Sequence, residues 1–307
     1  MAKRSQKADG FLEEAGLPDT VGNMQAALRL LDGETALDTV LELARESQSE
    51  QDVVGQLASE TANAAVLETA MDHVVPQGVA ASEASSEKET FAERRRDLTE
   101  LTDGLKDVME AIADGEEDEA ALAEYCAGID HFLENILEKT KQRADITYSE
   151  FQEIRATRGL MRLQQGLRNN RSYAVPIQTA DGVTQMNLTF REDEEQAGKV
   201  QVTIWQPYRI SMEMQISGGS LKGLVLCDDR AGYEKLKQQA GALQETLEQN
   251  VCPVKTISYG MDFRAQNDYS AASENDNAVD TKALYQTAKV LVQYISEVVA
   301  TENGGLQ

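Results

Sequence analysis

Few residues in this chain have the types and spacings that enzymes use for catalysis. His73 and His131 are the only histidines, and both lie in helical or linker sequence, which favours structural or surface roles over a general base. Cys227 ends a predicted strand without a basic neighbour, which indicates a core residue. The chain has no glycine-rich phosphate loop, nucleophile elbow or His-Glu metal spacing. The sequence therefore predicts no enzyme and no cofactor.

Two acidic motifs are candidate metal ligands. Asp228 and Asp229 precede a helical pattern, so a helix cap explains them without a metal. The run Glu116 to Glu119 lacks the alternating ligand positions of a calcium loop. We therefore expect no metal site. A deep polar pocket lined by several carboxylates would favour an enzyme instead.

The candidate site is a surface for a protein partner. It follows the third predicted strand, at a corner where a tryptophan, a proline and a tyrosine occur together. Aromatic residues and proline at a sheet edge favour protein partners. Packing of the tryptophan under a helix is the alternative interpretation of this corner. The predicted contact residues are Trp205, Gln206, Pro207, Tyr208, Arg209 and, on the first strand, Pro176.

Almost all the strand signal lies between Tyr173 and Phe263. Large apolar residues alternate with polar ones over residues 186–190, 200–204 and 210–216. Such alternation places one set of side chains on a buried face and the other set in water. The sequence predicts an N-terminal helical region and then a small, mostly antiparallel sheet that one or two helices cover on one side, one of them the helix from Tyr233 to Leu247. The fold class is α+β.

The rest of the chain has the patterns of helices and linkers. The predicted helix caps are Asp19 or Thr20 for one helix and Thr147 for another, where Glu150 completes a capping box. Proline, glycine and serine-rich stretches break the helical patterns. The predicted organisation is an N-terminal helical region (1–75), a linker (76–90), a helical hairpin or bundle (91–170), the sheet domain (171–264), a second linker (265–280) and a C-terminal helix (281–300).

The chain is strongly acidic. It contains 29 Lys and Arg against 53 Asp and Glu, for a formal net charge of -24. Nucleic acid and anionic membranes would be repelled, so neither is expected as the main partner. Much of the acidity lies in residues 82–124, which form either an arm for a basic partner or a solvated helical face. No apolar run is long enough to span a bilayer, and no secretory signal follows the basic start.

One predicted helix, from about Ser149 to Arg168, is basic on one face. Arg155, Arg158 and Arg162 share this face with Arg168. Nucleic acid is one possible partner for these arginines. The abundant carboxylates of the same chain favour an intramolecular counter-face instead.

The order of elements in residues 171–295 resembles a known family. An apolar strand with a proline and a hairpin leads to a strand ending near Pro207, a glycine-bounded strand, the helix "YEKLKQQAGALQETLEQN" and a last strand. This order resembles the C-terminal domain of bacterial flagellar hook-length control proteins, particularly divergent clostridial forms, and the closing "DTKALYQTAKVLVQYI" resembles their tails. Tyr208 and Arg209 stand where the family often has Leu-Gly, and Asn250 where glycine is common. The helical N-terminal half departs from the family's Pro- or Gln-rich ruler.

The resemblance implies a protein that catalyses no reaction and switches export specificity by binding the flagellar type III export gate. Its expected partners are the gate component and the hook or hook-cap protein. Its expected location is the cytoplasm, or the exterior after export through that apparatus. A cytoplasmic adaptor or scaffold with the same fold and no export is the alternative, which the helical N-terminal half favours. An enzyme of unknown chemistry is the third hypothesis.

Overall fold

A computed structural model describes residues 2–45, 104–179, 182–192, 198–261 and 281–300. The linkers predicted at 76–90 and 265–280 lie outside these residues. Three short helices open the chain: α1 (Ala2–Glu14), α2 (Val21–Leu31) and α3 (Ala36–Arg45). The Thr20 side chain accepts a hydrogen bond from the Asn23 backbone and caps α2, as predicted. The Thr35 hydroxyl likewise accepts from the Asp38 backbone at the start of α3.

Three further helices precede the sheet in the part of the chain that the structure describes. Residues 104–114 are helical (α4), and α5 (Ala120–Lys141) and α6 (Tyr148–Arg168) follow. Both hydrogen bonds of the predicted capping box between Thr147 and Glu150 are present at the start of α6. No helix among the described residues is both long and apolar enough to cross a membrane.

Two of the four arginines on the basic face of α6 lie against acidic residues of α5. Arg158 forms ion pairs with Glu134 and Glu138, and the Arg168 guanidinium lies 2.6 Å from Asp130. The predicted intramolecular counter-face for these two arginines is therefore confirmed. The carboxylates that pair with these arginines lie on α5, C-terminal to the acidic stretch 82–124.

Six strands form one sheet in sequence order. They are β1 (Ser172–Thr179), β2 (Gly182–Glu192), β3 (Gly198–Ile204), β4 (Ile210–Ser217), β5 (Ser220–Cys227) and β6 (Val254–Gly260). The first five pair antiparallel, and β6 pairs parallel to β5, which confirms the α+β class with a mostly antiparallel sheet. Pro176 lies on the edge strand β1, where a missing N–H is tolerated.

The apolar face of the sheet is covered mainly by the C-terminal helix α9 (Thr281–Ala300). Leu284, Leu291 and Ile295 of α9 are fully buried, as predicted. The predicted Tyr233–Leu247 helix is divided at Gln239 into α7 (Arg230–Gln238) and α8 (Ala240–Asn250), which connect β5 to β6. These helices add Leu236, Leu243 and Leu247 to the same apolar core. The predicted sheet covered by helices is therefore confirmed, but the Tyr233–Leu247 segment forms two helices and is not the main cover of this face.

The opposite face is not left open along its whole width. It is polar, as the alternation predicts, with Thr189 and Asn187 on β2. Leu30 of α2 and Gln164 and Leu167 of α6 nevertheless lie beside Ser172, Ala174 and Asn187. The N-terminal helices thus pack against the polar face at β1 and β2. The expectation that helices cover only one face of the sheet is wrong for these two strands.

Candidate functional site

The predicted contact corner connects β3 to β4, and it is only partly exposed. Gln206 and Pro207 are exposed, whereas Tyr208 is 8% exposed. A Cβ atom on Gly232 of α7 would lie 2.6 Å from the Tyr208 ring, so this ring packs directly on α7. The Arg209 backbone N–H donates to Asp228 (2.9 Å), which ties the corner to the end of β5. Tyr208 and the buried Pro176 are therefore not available for contact in this structure.

Trp205, the only tryptophan of the chain, is half-buried against the turn between α2 and α3. Gly33 in this turn has φ +85, and a Cβ atom there would overlap Cδ1 of the indole ring. The ring thus occupies the space that a side chain at position 33 would need. It packs on the N-terminal helices, not under the helix that covers the apolar face.

A groove with a volume of about 630 Å³ lies beside this contact. Its walls come from the end of α2, the α2–α3 turn, α3, the start of α6 and Gln206 of the corner. Carboxyl groups dominate its lining: Asp32, Glu34, Asp38, Glu42, Glu150 and Glu153. We call this feature the acidic groove.

Among the described residues that line the acidic groove, one is a cation, Arg29, and its charge is already paired. Its guanidinium forms ion pairs with Glu34 and Glu153. Hydrogen bonds from the guanidinium to these two carboxylates raise the pKa of Arg29 despite its partial burial. Glu42 is exposed and forms no ion pair with the described residues. Two arginines outside the lining, Arg4 and Arg143, pair with Asp32 and Glu150. The six carboxyl groups still outnumber these three arginines, so the groove retains an excess of negative charge that a cationic ligand could neutralise.

Asp38 is a partly buried carboxyl of the groove, and it joins α3 to the sheet. Its two oxygens accept hydrogen bonds from the Thr35 hydroxyl (2.6 Å) and the Thr184 hydroxyl of β2 (3.2 Å). Burial raises the pKa of Asp38 from its ordinary value of 3.8, although these hydroxyls and the Gln185 backbone oppose the shift. The cause is desolvation of the charged form.

We expect Asp38→Asn to change how stability depends on pH. Because the pKa of Asp38 is higher in the folded than in the unfolded chain, its contribution favours folding below pH 3.8 and is lost as pH rises through the raised value. As the pH rises from about 3 to about 7, the stability of the variant relative to wild type should therefore increase. Urea unfolding at both pH values measures this difference. The exposed Asp9→Asn, which removes the same charge, is the control, and an equal gain there would contradict the prediction.

Other residues that the sequence singles out have structural positions. Asp229 caps α7 by accepting from the Gly232 backbone (2.9 Å), as predicted. Cys227 is fully buried, which confirms its assignment to the core, and burial raises the pKa of its thiol to about 11. His131 is exposed on α5, and His73 lies outside the described residues. Within the described ranges, no three His, Cys, Asp or Glu residues are grouped so that they could hold a metal ion.

Comparison of the chain with protein-family models, with curated proteins and with solved structures found no match. The acidic groove itself was not predicted from the sequence. Its carboxylates come from residues 32–42 and 150–153, which are more than 100 positions apart. Of the predicted contact residues, Gln206 alone also lines the groove.

Proposed function

We propose that this protein acts by binding other proteins and catalyses no reaction, and that the acidic groove receives a basic segment of a partner. The observation that carries this proposal is the groove beside Trp205, with six carboxyl groups and one arginine that is already paired. A lysine or arginine side chain entering the groove would find carboxylates on several walls. Charge complementarity of this kind favours rapid and selective association.

The particular partner that the family resemblance implies is the cytoplasmic domain of the flagellar type III export gate. On this proposal the protein switches the class of exported substrate, and it resides in the cytoplasm or passes through the export apparatus. The hook or hook-cap protein would be a further partner. The supporting features are the strand order, the helices between β5 and β6 and the C-terminal helix, all within the region of resemblance.

A cytoplasmic adaptor without export is the second candidate function. The observation that favours it is the packing of the N-terminal helices on the sheet. Glu14 of α1 lies 3.8 Å from Arg191 of β2, and Leu30 lies beside β1. The apolar residues of these helices belong to the same core cluster as the sheet. A segment folded onto the sheet in this way does not measure length as an extended ruler would.

The acidic groove also bears on the enzyme hypothesis, since a polar pocket with several carboxylates was the feature that would favour it. General acid catalysis needs a carboxyl with a raised pKa that can reach a substrate. Asp38 has the raised pKa, but both of its oxygens already accept hydrogen bonds from Thr35 and Thr184. We therefore favour binding over catalysis at this site.

Binding to the groove can be tested with Trp205 fluorescence, since the chain has one tryptophan next to the groove. The probe is a ten-residue peptide with four Lys or Arg residues and no tryptophan. We expect it to change the fluorescence of the full-length protein in a saturable manner. Glu42→Lys should weaken binding roughly 5- to 10-fold, because it replaces an attractive charge with a repulsive one.

The matched control is Glu245→Lys on α8, an exposed position outside the groove with the same change in net charge. Equal weakening by both variants would mean that the peptide responds to net charge alone, which would overturn the groove as the site. Absence of saturable binding to the wild type would do the same.

The two candidate roles differ in a deletion strain of the source organism. Loss of hook-length control, with the protein found outside the cell, is expected for the export role. Normal hooks and no extracellular protein are expected for the adaptor. Immunoblots of the secreted fraction and electron microscopy of the hooks measure the two outcomes.

A further inference from the structure

Helix α6 presents an exposed ridge on the side away from the acidic groove. It consists of Tyr148, Phe151, Arg155 and Arg162, and we call it the α6 ridge. The spacings of three, four and seven residues place all four side chains on one helical face, over about 21 Å. Tyr148 is 79% exposed and Phe151 is 38% exposed, and both arginines are exposed.

The arginines of α6 fall into two groups. Arg158 and Arg168 pair with carboxylates of α5. Arg155 and Arg162 form no ion pair with any described residue, although the chain has a net charge of -24. In so acidic a protein, two cations left in solvent beside two exposed aromatic rings are an unusual feature of the surface.

The exposed aromatic residues of the ridge are a large share of the exposed apolar surface. Four large apolar side chains are exposed in the described residues, and two of them, Tyr148 and Phe151, lie one helical turn apart on α6. The other two lie elsewhere: Val21 begins α2, which packs near Gly159 of α6, and Met261 follows β6. Exposed apolar residues that lie together, as on the ridge, are typical of a contact surface.

We propose that the α6 ridge binds an amphipathic helix of another protein, one that carries carboxylates two helical turns apart. Arg155 and Arg162 are seven residues apart, about 10.5 Å along the helix axis, which matches side chains at i and i+7 of a helix lying alongside. Tyr148 and Phe151 provide apolar area at one end of the ridge, and aromatic and arginine side chains are those enriched in protein interfaces.

The surroundings of the ridge favour this partner over the alternatives. Glu134 and Glu138 of α5 flank the ridge and would repel a nucleic acid, as would the net charge of -24. A second copy of this chain would bring a further net charge of -24. A single acidic helix can reach the two arginines without bringing a large negative surface against those flanks. The proposal does not depend on the function of the acidic groove.

The test uses the full-length protein and a fluorescein-labelled 21-residue helical peptide, with leucines along one face and two glutamates seven positions apart beside them. Fluorescence anisotropy should show saturable binding that is lost when both glutamates are glutamine. Arg155→Glu with Arg162→Glu should weaken binding at least 10-fold. Tyr148→Ala should weaken it about 3-fold. Thermal unfolding of these variants should be unchanged, because all three side chains are exposed.

The matched control is Lys222→Glu with Lys255→Glu on β5 and β6, which changes the net charge equally at exposed positions outside the ridge. It should leave binding within 2-fold of wild type. Equal loss in both double variants, or equal binding of the glutamine peptide, would overturn the proposal. Tighter binding of a 20-nucleotide single strand, or a dimer in sedimentation that Arg155→Glu abolishes, would assign the ridge to nucleic acid or to self-association instead.

Discussion

Phe190→Ala is expected to lower the free energy of unfolding by about 3–5 kcal/mol, the cost of emptying a buried aromatic site. Phe190 on β2 is 1% exposed. Its ring stacks on Tyr285 of α9 with the centroids 4.5 Å apart, and it meets the edge of Tyr173 at 6.2 Å. The variant would therefore remove the main aromatic contact between the sheet and the helix that covers it.

A cation also depends on this ring. The Arg171 guanidinium lies 5.6 Å from the Phe190 centroid and 2.6 Å from a Glu119 oxygen. Truncation of the ring would leave this ion pair beside a cavity, so the loss should lie toward the upper end of the range. Urea unfolding followed by far-UV circular dichroism measures it.

Phe151→Ala is the control, because it removes the same ring from an exposed position on α6. Its effect should be about 1–2 kcal/mol, smaller than that at Phe190, because 38% of the side chain is exposed in the folded chain. A loss at Phe190 no larger than the loss at Phe151 would show that the contact between β2 and α9 contributes little. The packing of α9 described above would then be wrong.

Local features of the fold were predictable because each depends on a few neighbouring residues. A threonine before an apolar run predicts a cap, and Thr20 and Thr147 are caps. A glycine pair separates the predicted fourth and fifth strands, and Gly218 and Gly219 form the turn between β4 and β5 with positive φ at both residues. Alternation predicted which side chains of the strands are buried, since the period of two is a property of the extended backbone.

The pairing of distant elements was not predictable in this way. The apolar stripes of α7, α8 and α9 could each cover one face of the sheet. Hydrophobic periodicity does not indicate which helix covers most of it. The longer α9, with eight fully buried apolar residues including Leu284 and Tyr285, takes the larger part. The break at Gln239 has no proline or capping side chain that would predict it. Tertiary packing overrides local helix propensity there.

The candidate site, too, was predictable only in its local features. The corner from Trp205 to Arg209 could be found because aromatic residues and a proline are adjacent in sequence. Which of them are exposed depends on α7 and on the α2–α3 turn, since Gly232 lies against Tyr208 and Gly33 against Trp205. The acidic groove exists only because these elements meet. No pattern within a single segment describes it.

Gly33→Ala is the second substitution with a large expected effect, a loss of about 2–4 kcal/mol in the free energy of unfolding. Two costs combine. Gly33 has φ +85, where a residue with a Cβ is strained by about 1–2 kcal/mol. The new Cβ would also overlap Trp205 Cδ1, so the indole must move. Since Gly33 and Gln206 line the acidic groove, binding of the basic peptide should weaken as well.

Gly16→Ala separates the two costs. Gly16 has φ +64, and a methyl group added there would have no atom within 4 Å beyond its own chain neighbours. This variant should therefore show the backbone strain alone.

A double-mutant cycle then isolates the contact between position 33 and the indole. In a Trp205→Ala background, Gly33→Ala should cost no more than Gly16→Ala does in the wild type. Urea midpoints of the four proteins in the cycle measure the coupling between the two positions. If Gly33→Ala costs the same with and without the indole, Trp205 does not pack on the α2–α3 turn, and the corner is free to serve as an exposed contact surface in the way the sequence alone suggested.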